Sequence, residues 1–579
     1  MADITMMRFE QEQQDSIRIP RASCPEEVGI PSESVKQFVQ SLEADGFRYH
    51  SLYIMRGGKV AAECHRYPFS ADMPHIMYSI SKSVTSCAVA LAIEEGYLTL
   101  DTSVADVFPE YVPQSDAEAF SQIKVRNLLN MTGGKMPSYM ANKTKSDWIR
   151  QYADSKWYAK PGEKFQYVNE SPYMLCAMLR RLTGMTVTEY LVPRLWEPLG
   201  VKEPYWETDP TGTESGGWGL FLTPESFAKF ILMIHQRGRF GDKQIIPAAY
   251  LDEATRAQIS TGEEGEHARG GYGYCFWVKN EDEYLGCGVF GQIGYCIRSK
   301  DLAIVTVSGD GHTEHVYSAI DALAATVDAP TLPATDPTEL NEFLNSRAID
   351  VLPEVTLRSP MEETLQDKIL WFAKTLPANL VGFPPSVLPV VAVYMTKDRA
   401  GNMDRFQFRF CGDYALFQWR EGDETCCVRM GMDGRYRVSR ITLAGTRYTI
   451  YAAAFWTDEN TLEVWLRPVE SIGIRYLTFS FHGNGKKVTL TTRSDPSLAE
   501  VLEDVRFTVD ETFRTRLGKN IGGKLFDSLT RVVEPTLHGE ILEKSAYKKQ
   551  KAEEESPAEV DKEMEEIDLS DSEPESESE

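Results

Sequence analysis

Ser79 and Lys82 stand three residues apart in the run Met77-Tyr78-Ser79-Ile80-Ser81-Lys82-Ser83. On a helix this spacing puts the hydroxyl and the amine on one face, a turn apart. A serine hydroxyl is a weak nucleophile and needs an adjacent base. A lysine is that base only where burial or nearby cations lower its pKa. A helix N-terminus helps twice, because its N–H groups disfavour a cation and favour an oxyanion. The same spacing recurs at Ser121/Lys124, Ser226/Lys229 and Ser545/Lys548, and neighbourhood separates the four. Ser545 lies in a polar stretch. Ser226 follows Thr223, an expected helix cap, and Ser121 is expected to start a helix. Only Ser79 immediately precedes a long apolar helical pattern, and its competing role is that of a plain helix cap.

Two further constellations lie downstream. Tyr167-Val168-Asn169 is the sole Y-x-N in the chain, between the Pro161-Gly162 turn and a helix expected from Ser171-Pro172. That loop position suits residues aimed into a cleft. A tyrosine beside a lysine ammonium is expected to have a lowered pKa and to relay a proton. Gly286, Gly288 and Gly291 fall in one strand-like run. Glycines there weaken a strand unless something must approach its backbone, such as a substrate carbonyl or a tightly packed neighbour.

These residues need elements to hold them. The segment 51–67 reads as a hairpin around Gly57-Gly58. Residues 81–98 place Val84, Cys87, Ala88, Leu91 and Ala92 at helical spacing and stop at Gly96. A helix capped by Thr223, with Pro224 first, covers 223–235. Strand-like runs follow at 272–280 and 302–309. Helices between outer strands suggest an α+β sheet with a helical insertion. The expected organisation is a polar leader (1–20), a catalytic domain (21–330), and a linker (331–385) with one helix over 361–376. An antiparallel barrel or sandwich (386–496), a helical segment (497–548) and a disordered acidic tail (549–579) follow.

Composition narrows the function classes. Of the formal net charge of −25, residues 553–579 carry −13, with 14 Asp/Glu against one Lys, leaving −12 for the rest. Such a chain does not look like a nucleic-acid binder, which needs clustered Lys and Arg. The ten cysteines are scattered with no C-x-x-C pair, so buried free thiols in a reducing compartment are expected. There is no apolar leader and no run of about 20 apolar residues. A cytoplasmic protein without membrane association is the expectation. Asp310, His312 and His315 form too unspecific a pattern to assign a metal, and His235 is expected in the core. No cofactor is called for, and the oligomeric state is left open.

The order S-I-S-K, then P-G-E-K-F-Q-Y-V-N, then G-C-G-V-F-G resembles the serine β-lactamase and penicillin-binding-protein superfamily, whose S-x-x-K is a known nucleophile motif. The Y-x-N form is similar to the class C β-lactamases and their relatives, the family VIII carboxylesterases, D-aminopeptidases and 6-aminohexanoate-dimer hydrolases. The stretches LTLDTSVADVFPEYVP, IKVRNLLNMTGG and GGWGLFLTPESFAKF fit as well. The resemblance covers about residues 25–325. It implies a β-lactamase/transpeptidase-like fold, with an antiparallel sheet and a helical lobe, ahead of the β-barrel-like domain. It makes Ser79 the nucleophile and Lys82 the base, alone or with Tyr167, which also protonates the leaving group. Asn169 orients Lys82 and substrate, and the backbone N–H groups of Ser79 and Val289, beside Gly288, form the oxyanion hole. Gln292 and Trp218 are candidates for the pocket wall, with loop packing as their alternative.

The sequence departs from the family at the third strand. Gly286-Cys287-Gly288 stands where β-lactamases carry Lys-Thr-Gly, so no cation is available there for a β-lactam carboxylate. Hydrolysis of a small-molecule ester or amide is therefore the favoured expectation. The alternatives are β-lactamase or DD-peptidase activity, acyl transfer to an acceptor other than water, and a non-catalytic binding protein on the same fold.

Overall fold

A computed structural model describes residues 17–136, 147–202, 204–262, 270–354, 357–372, 403, 405–421, 424–443, 446–497, 500 and 536–551. They fall into two compact units that meet in sequence at Ile349/Asp350. The expected acidic tail beyond Lys551 lies outside the described residues.

The first unit is built on seven strands: β1 (Tyr49–Arg56), β2 (Lys59–His65), β3 (Gly271–Tyr272), β4 (Trp277–Val278), β5 (Glu283–Gly288), β6 (Gln292–Ile297) and β7 (Leu302–Ser308). Their order across the sheet is β2-β1-β7-β6-β5-β4-β3, with every pair antiparallel. Ile54 stands opposite Ile304, and Gly288 opposite Gln292. All seven residues of β7 are buried. A sheet covered on both faces needs an unbroken apolar run rather than an alternating one, and Leu-Ala-Ile-Val-Thr-Val-Ser supplies it.

The chain leaves this sheet after β2, runs through a helical lobe, and returns at β3. Six helices matter to the site: α1 (Ser32–Ala44), α2 (Ile80–Glu94), α3 (Glu170–Thr183), α4 (Pro224–His235), α5 (Glu314–Ala325) and α6 (Thr338–Asn345). Leu42 of α1 and Ile320 of α5 share one core with Leu52, Ile54, Tyr295 and Ile304. On the opposite face α4 approaches closely, since a Cβ on Gly294 of β6 would stand 2.2 Å from Ile231 Cδ1. Helix α2 is buried on every side from Ile80 to Ala92. Its Ser, Thr, Cys and Ala residues let neighbouring elements pack close to its backbone. Thr223 caps α4 and Pro224 opens it, as the sequence predicts.

Three boundaries differ from expectation. The first unit begins before residue 21: Ile19 is buried and its N–H donates to the Glu225 carboxylate at 2.9 Å. The first unit continues past 330, because Leu340 and Leu344 of α6 lie in its core and Cys64 Sγ donates to Leu344 O. Ser121 ends a helix (Ala117–Ser121) rather than starting one.

The second unit is a barrel of short strands: β8 (Ile369–Trp371), β9 (Arg405–Phe410), β10 (Tyr414–Glu421), β11 (Glu424–Gly431), β12 (Arg437–Leu443), β13 (Thr446–Asp458), β14 (Thr461–Pro468), β15 (Ile474–His482), β16 (Lys487–Asp495) and β17 (Thr536–Leu542). The order is β11-β10-β9-β8-β17-β16-β15-β14-β13-β12. A bridge between Gly431 and Ala453 joins β11 to β13 and closes a ring of nine, leaving β12 paired on β13. Closure removes the strand edges of the nine-stranded ring. Phe406, Phe408, Phe417, Trp456 and Phe479 fill the inside. The helix expected over 361–376 stops at Leu365, and Ile369–Trp371 is β8. Of the expected helical segment 497–548, residues 498–499 and 501–535 lie outside the described residues; Thr536–Leu542 is β17 rather than helix, and Lys544–Lys551 is helical.

None of the ten cysteines forms a disulfide. Among the described residues no helix is long and apolar enough to cross a membrane. No group of three or more His, Cys, Asp and Glu among them could hold a metal ion. Asp310 pairs with His312, and Asp45 with His315.

Two outcomes follow from this packing. Gly294→Ala should destabilise the first unit by about 1–3 kcal/mol, and Ile231→Ala should offset part of that loss in a double-mutant cycle of thermal unfolding. His235, buried at the end of α4, bonds Asp301 at 3.0 Å, and its pKa is raised from 6.5 to about 9. Although burial works against the cation, the bonds to Asp301 and Cys296 outweigh it. A raised folded-state value means that the stabilisation is complete below about pH 6.5 and is lost as pH rises through about 9. The fall in Tm over that window should flatten in Asp301→Asn.

Candidate active site

Ser79 occupies the N-cap position of α2, but its side chain makes no capping bond. The plain-cap role is thereby excluded, and the hydroxyl is left for other partners. Tyr78 before it has a left-handed backbone, φ 46°. One turn on, Lys82 is almost wholly buried. Its Nζ lies 2.8 Å from Ser79 Oγ, 2.8 Å from Asn169 Oδ1 and 2.7 Å from Gly217 O. All three partners are uncharged. Burial is the largest influence on the amine, and it pushes the pKa down to about 7. The neighbouring Glu170 carboxyl and the thiols of Cys275 and Cys287 pull weakly the other way.

The partner set carries no charge to hold the cation and can also satisfy a neutral amine. Such an amine has two N–H groups and one lone pair. Asn169 Oδ1 and Gly217 O are acceptors and take the two protons. In that form the lone pair faces the Ser79 hydroxyl, whereas in the charged form the third N–H donates to Ser79 Oγ.

Tyr167 reaches the same hydroxyl through a side-chain hydrogen bond to Ser79. The Lys82 Nζ stands 4.7 Å from its ring centroid. The phenol does not have the lowered pKa expected from the sequence. Burial pushes it well above the usual tyrosine value, and the bond to Ser79 offsets this only in part. A neutral lysine supplies no charge to stabilise a phenolate. The ring is held by Trp277, stacked at 5.5 Å, and by Tyr272, edge-on at 6.1 Å. Asn169 ends the Tyr-Val-Asn turn at the N-cap of α3 and likewise makes no capping bond, its Oδ1 going to Lys82.

The glycine-rich strand β5 runs beside the nucleophile. A Cβ on Gly288 would stand 2.5 Å from Met77 O and 3.2 Å from the Ser79 nitrogen, so only glycine fits there. A Cβ on Gly286 would meet Ile80 Cδ1 and Ser83 Oγ, both at 3.3 Å. Position 286 thus faces the start of α2 and brings no cation to it. Val289 follows Gly288 into a turn in which Phe290 and Gly291 have φ of 63° and 76°. Among the described residues, the N–H groups of Ser79 and Val289 have no carbonyl partner in the caps and turns around them.

The two residues expected in the pocket wall are both buried. Gln292 is fully buried and its amide is consumed by backbone: Nε2 donates to Phe290 O at 3.0 Å and Ser308 O at 2.6 Å, while Oε1 accepts from Ser308 N at 3.3 Å. Trp218 is also buried, with its ring 5.9 Å from that of Trp148 and its carbonyl accepting from Trp206 Nε1 and Ser215 Oγ. Its ring packs against Trp148, beside the Gly217 that bonds Lys82. Gly217 itself is a site residue that the motifs do not single out. A Cβ there would come within 3.0 Å of Asn169 O and 3.1 Å of its Oδ1. The Gly216-Gly217 pair is the signal that could have revealed it.

A β-lactamase family model matches residues 35–328, half of the chain. The 6-aminohexanoate-dimer hydrolase of Paenarthrobacter ureafaciens is 22% identical over 295 residues, 46% of this chain and 74% of that protein. The β-lactamase of Escherichia coli strain K12 is 24% identical over 143 residues, 24% of this chain and 37% of its own length. Among solved structures, a family VIII carboxylesterase aligns with TM-score 0.43 and 17% identity, over 52% of this chain and 98% of that one. With its matched span reaching from α1 to the end of α5 and enclosing every residue of the site, this chain belongs to the β-lactamase family.

Proposed function

We propose that this protein is a serine hydrolase that cleaves ester or amide bonds through an acyl-enzyme on Ser79. The observation that carries this reading is the buried Lys82 amine, held by uncharged acceptors and aimed at the Ser79 hydroxyl at 2.8 Å. Lys82 is the general base. As Ser79 Oγ bonds to the substrate carbonyl carbon, its proton passes to the Lys82 lone pair. The negative charge that develops on the carbonyl oxygen is received by the N–H groups of Ser79 and Val289. Collapse breaks the C–O or C–N bond. The leaving group takes a proton from Tyr167, which is the acid because its raised pKa keeps it protonated. Lys82 returns the proton it gained to the phenol. Water then attacks the acyl-enzyme by the same route in reverse.

The geometry also bears on substrate. Gly286 brings no side chain to the start of α2, so the site offers no third-strand cation to an anionic substrate. Small uncharged esters and amides fit this better than β-lactams. The 6-aminohexanoate-dimer hydrolase named above supports hydrolase chemistry in outline.

A fluorophosphonate probe should label the protein, and p-nitrophenyl butyrate should be turned over. Ser79→Ala should abolish labelling and lower kcat/KM by a thousandfold or more, on the order seen when a serine nucleophile is removed. Labelling that survives in Ser79→Ala would contradict the assignment, and a chromogenic cephalosporin turned over faster than the ester would contradict the substrate class. The pH profile gives a second check. Lys82 acts as base only when neutral, so kcat/KM should rise with pH through a limb near 7. A limb near the ordinary lysine value of about 10.4 would contradict Lys82 as a base tuned by burial.

A further inference from the structure

The turn that follows Gly288 is an uncomfortable piece of backbone to place beside a reacting atom. Phe290 has φ 63°, a left-handed conformation that a bulky residue adopts only when its surroundings impose it. Gly291 follows at φ 76°. The surroundings are specific. The Gln292 side chain donates to Phe290 O and to Ser308 O, and accepts from Ser308 N, so one fully buried amide bolts the turn to the end of β7. Asp310 N–H also points at Phe290 O, at 3.3 Å. Buried Thr306 Oγ1 donates to Gly291 O at 2.8 Å. The Phe290 ring lies against that of Tyr78, 5.3 Å between centroids, next to the nucleophile.

We infer that Gln292, seconded by Thr306, is a positioning residue for the reaction: it fixes the Val289 N–H where the oxyanion forms. This rests on the acyl-enzyme reading above. The amide touches neither substrate nor Ser79 and acts only through the carbonyls it holds. An oxyanion donor matters in the transition state more than in the ground state, so loosening it lowers kcat and leaves KM nearly alone. An effect confined to folding would leave kcat of the surviving folded enzyme unchanged.

Gln292→Met keeps the volume and loses the three hydrogen bonds. With p-nitrophenyl butyrate, kcat per labelled active site should fall by about 10–100-fold, below the ~100–1000-fold for deleting a donor outright. KM should stay within about threefold. Thr306→Val, which removes one bond at nearly constant volume, should show a smaller fall of the same kind. A boronic acid that forms a tetrahedral adduct with Ser79 should bind Gln292→Met more weakly by the same factor as the loss in kcat. A folded Gln292→Met with kcat within twofold of the parent, or with a change in KM alone, overturns the inference. If that variant does not fold, an unchanged kcat in folded Thr306→Val overturns it instead. Ser79→Ala in the same assay keeps the two readings apart: turnover persisting there defeats the acyl-enzyme proposal, whereas its loss beside a normal Gln292→Met defeats only the positioning role.

Discussion

A lysine amine removed from water and given only uncharged acceptors is the condition on which the rest of this site depends. In water Lys82 would be a cation and useless as a base. Burial makes the cation costly, and Asn169 Oδ1 and Gly217 O satisfy the two protons of the neutral form without adding charge that would hold a third. The same burial acts in the opposite sense on Tyr167 and keeps the phenol protonated. One environment therefore separates the two groups into a base and an acid, the pattern by which a single site performs both proton transfers.

Much of the first unit can be read as the means of burying that amine. Helix α2 is composed of small residues where β5, α3 and the Gly216–Trp218 loop close over it. Glycine stands at 288 because neighbouring backbone leaves no room for a Cβ, and at 217 a Cβ would crowd Asn169. The aromatic packing of Tyr167 on Tyr272 and Trp277 closes the remaining side. None of these contacts is strong alone. Together they exclude water from Lys82 while the adjacent Ser79 stays half-exposed to a substrate.

The parts of this arrangement that were legible in the sequence are those in which chemistry and spacing are local. Ser79 and Lys82 lie on one helical turn, and Tyr167 and Asn169 on one loop, so short motifs register them. Gly217 contributes a carbonyl, which any residue has, and only the demand for a missing Cβ marks it. The direction of Gln292 could not be read because the residue begins a strand buried on both faces, where polarity does not distinguish wall from interior. In the barrel, Asp367 with φ 55° breaks the chain between Leu365 and Ile369, although the apolar spacing across it mimics one helix. Strand β17 was hidden for a related reason. Its central position is Gly539, where Phe372 and Trp371 O fill the space a side chain would take, so the alternation that identifies a strand is interrupted.

The most direct test is the protonation state of Lys82 itself. In protein carrying 13C at the lysine ε-carbon, with the Lys82 signal assigned by its loss in Lys82→Arg, the ε-carbon shift should titrate with a midpoint near 7. A midpoint near 10, as for a solvated lysine, would show that the amine is a cation at neutral pH and would contradict its role as the base.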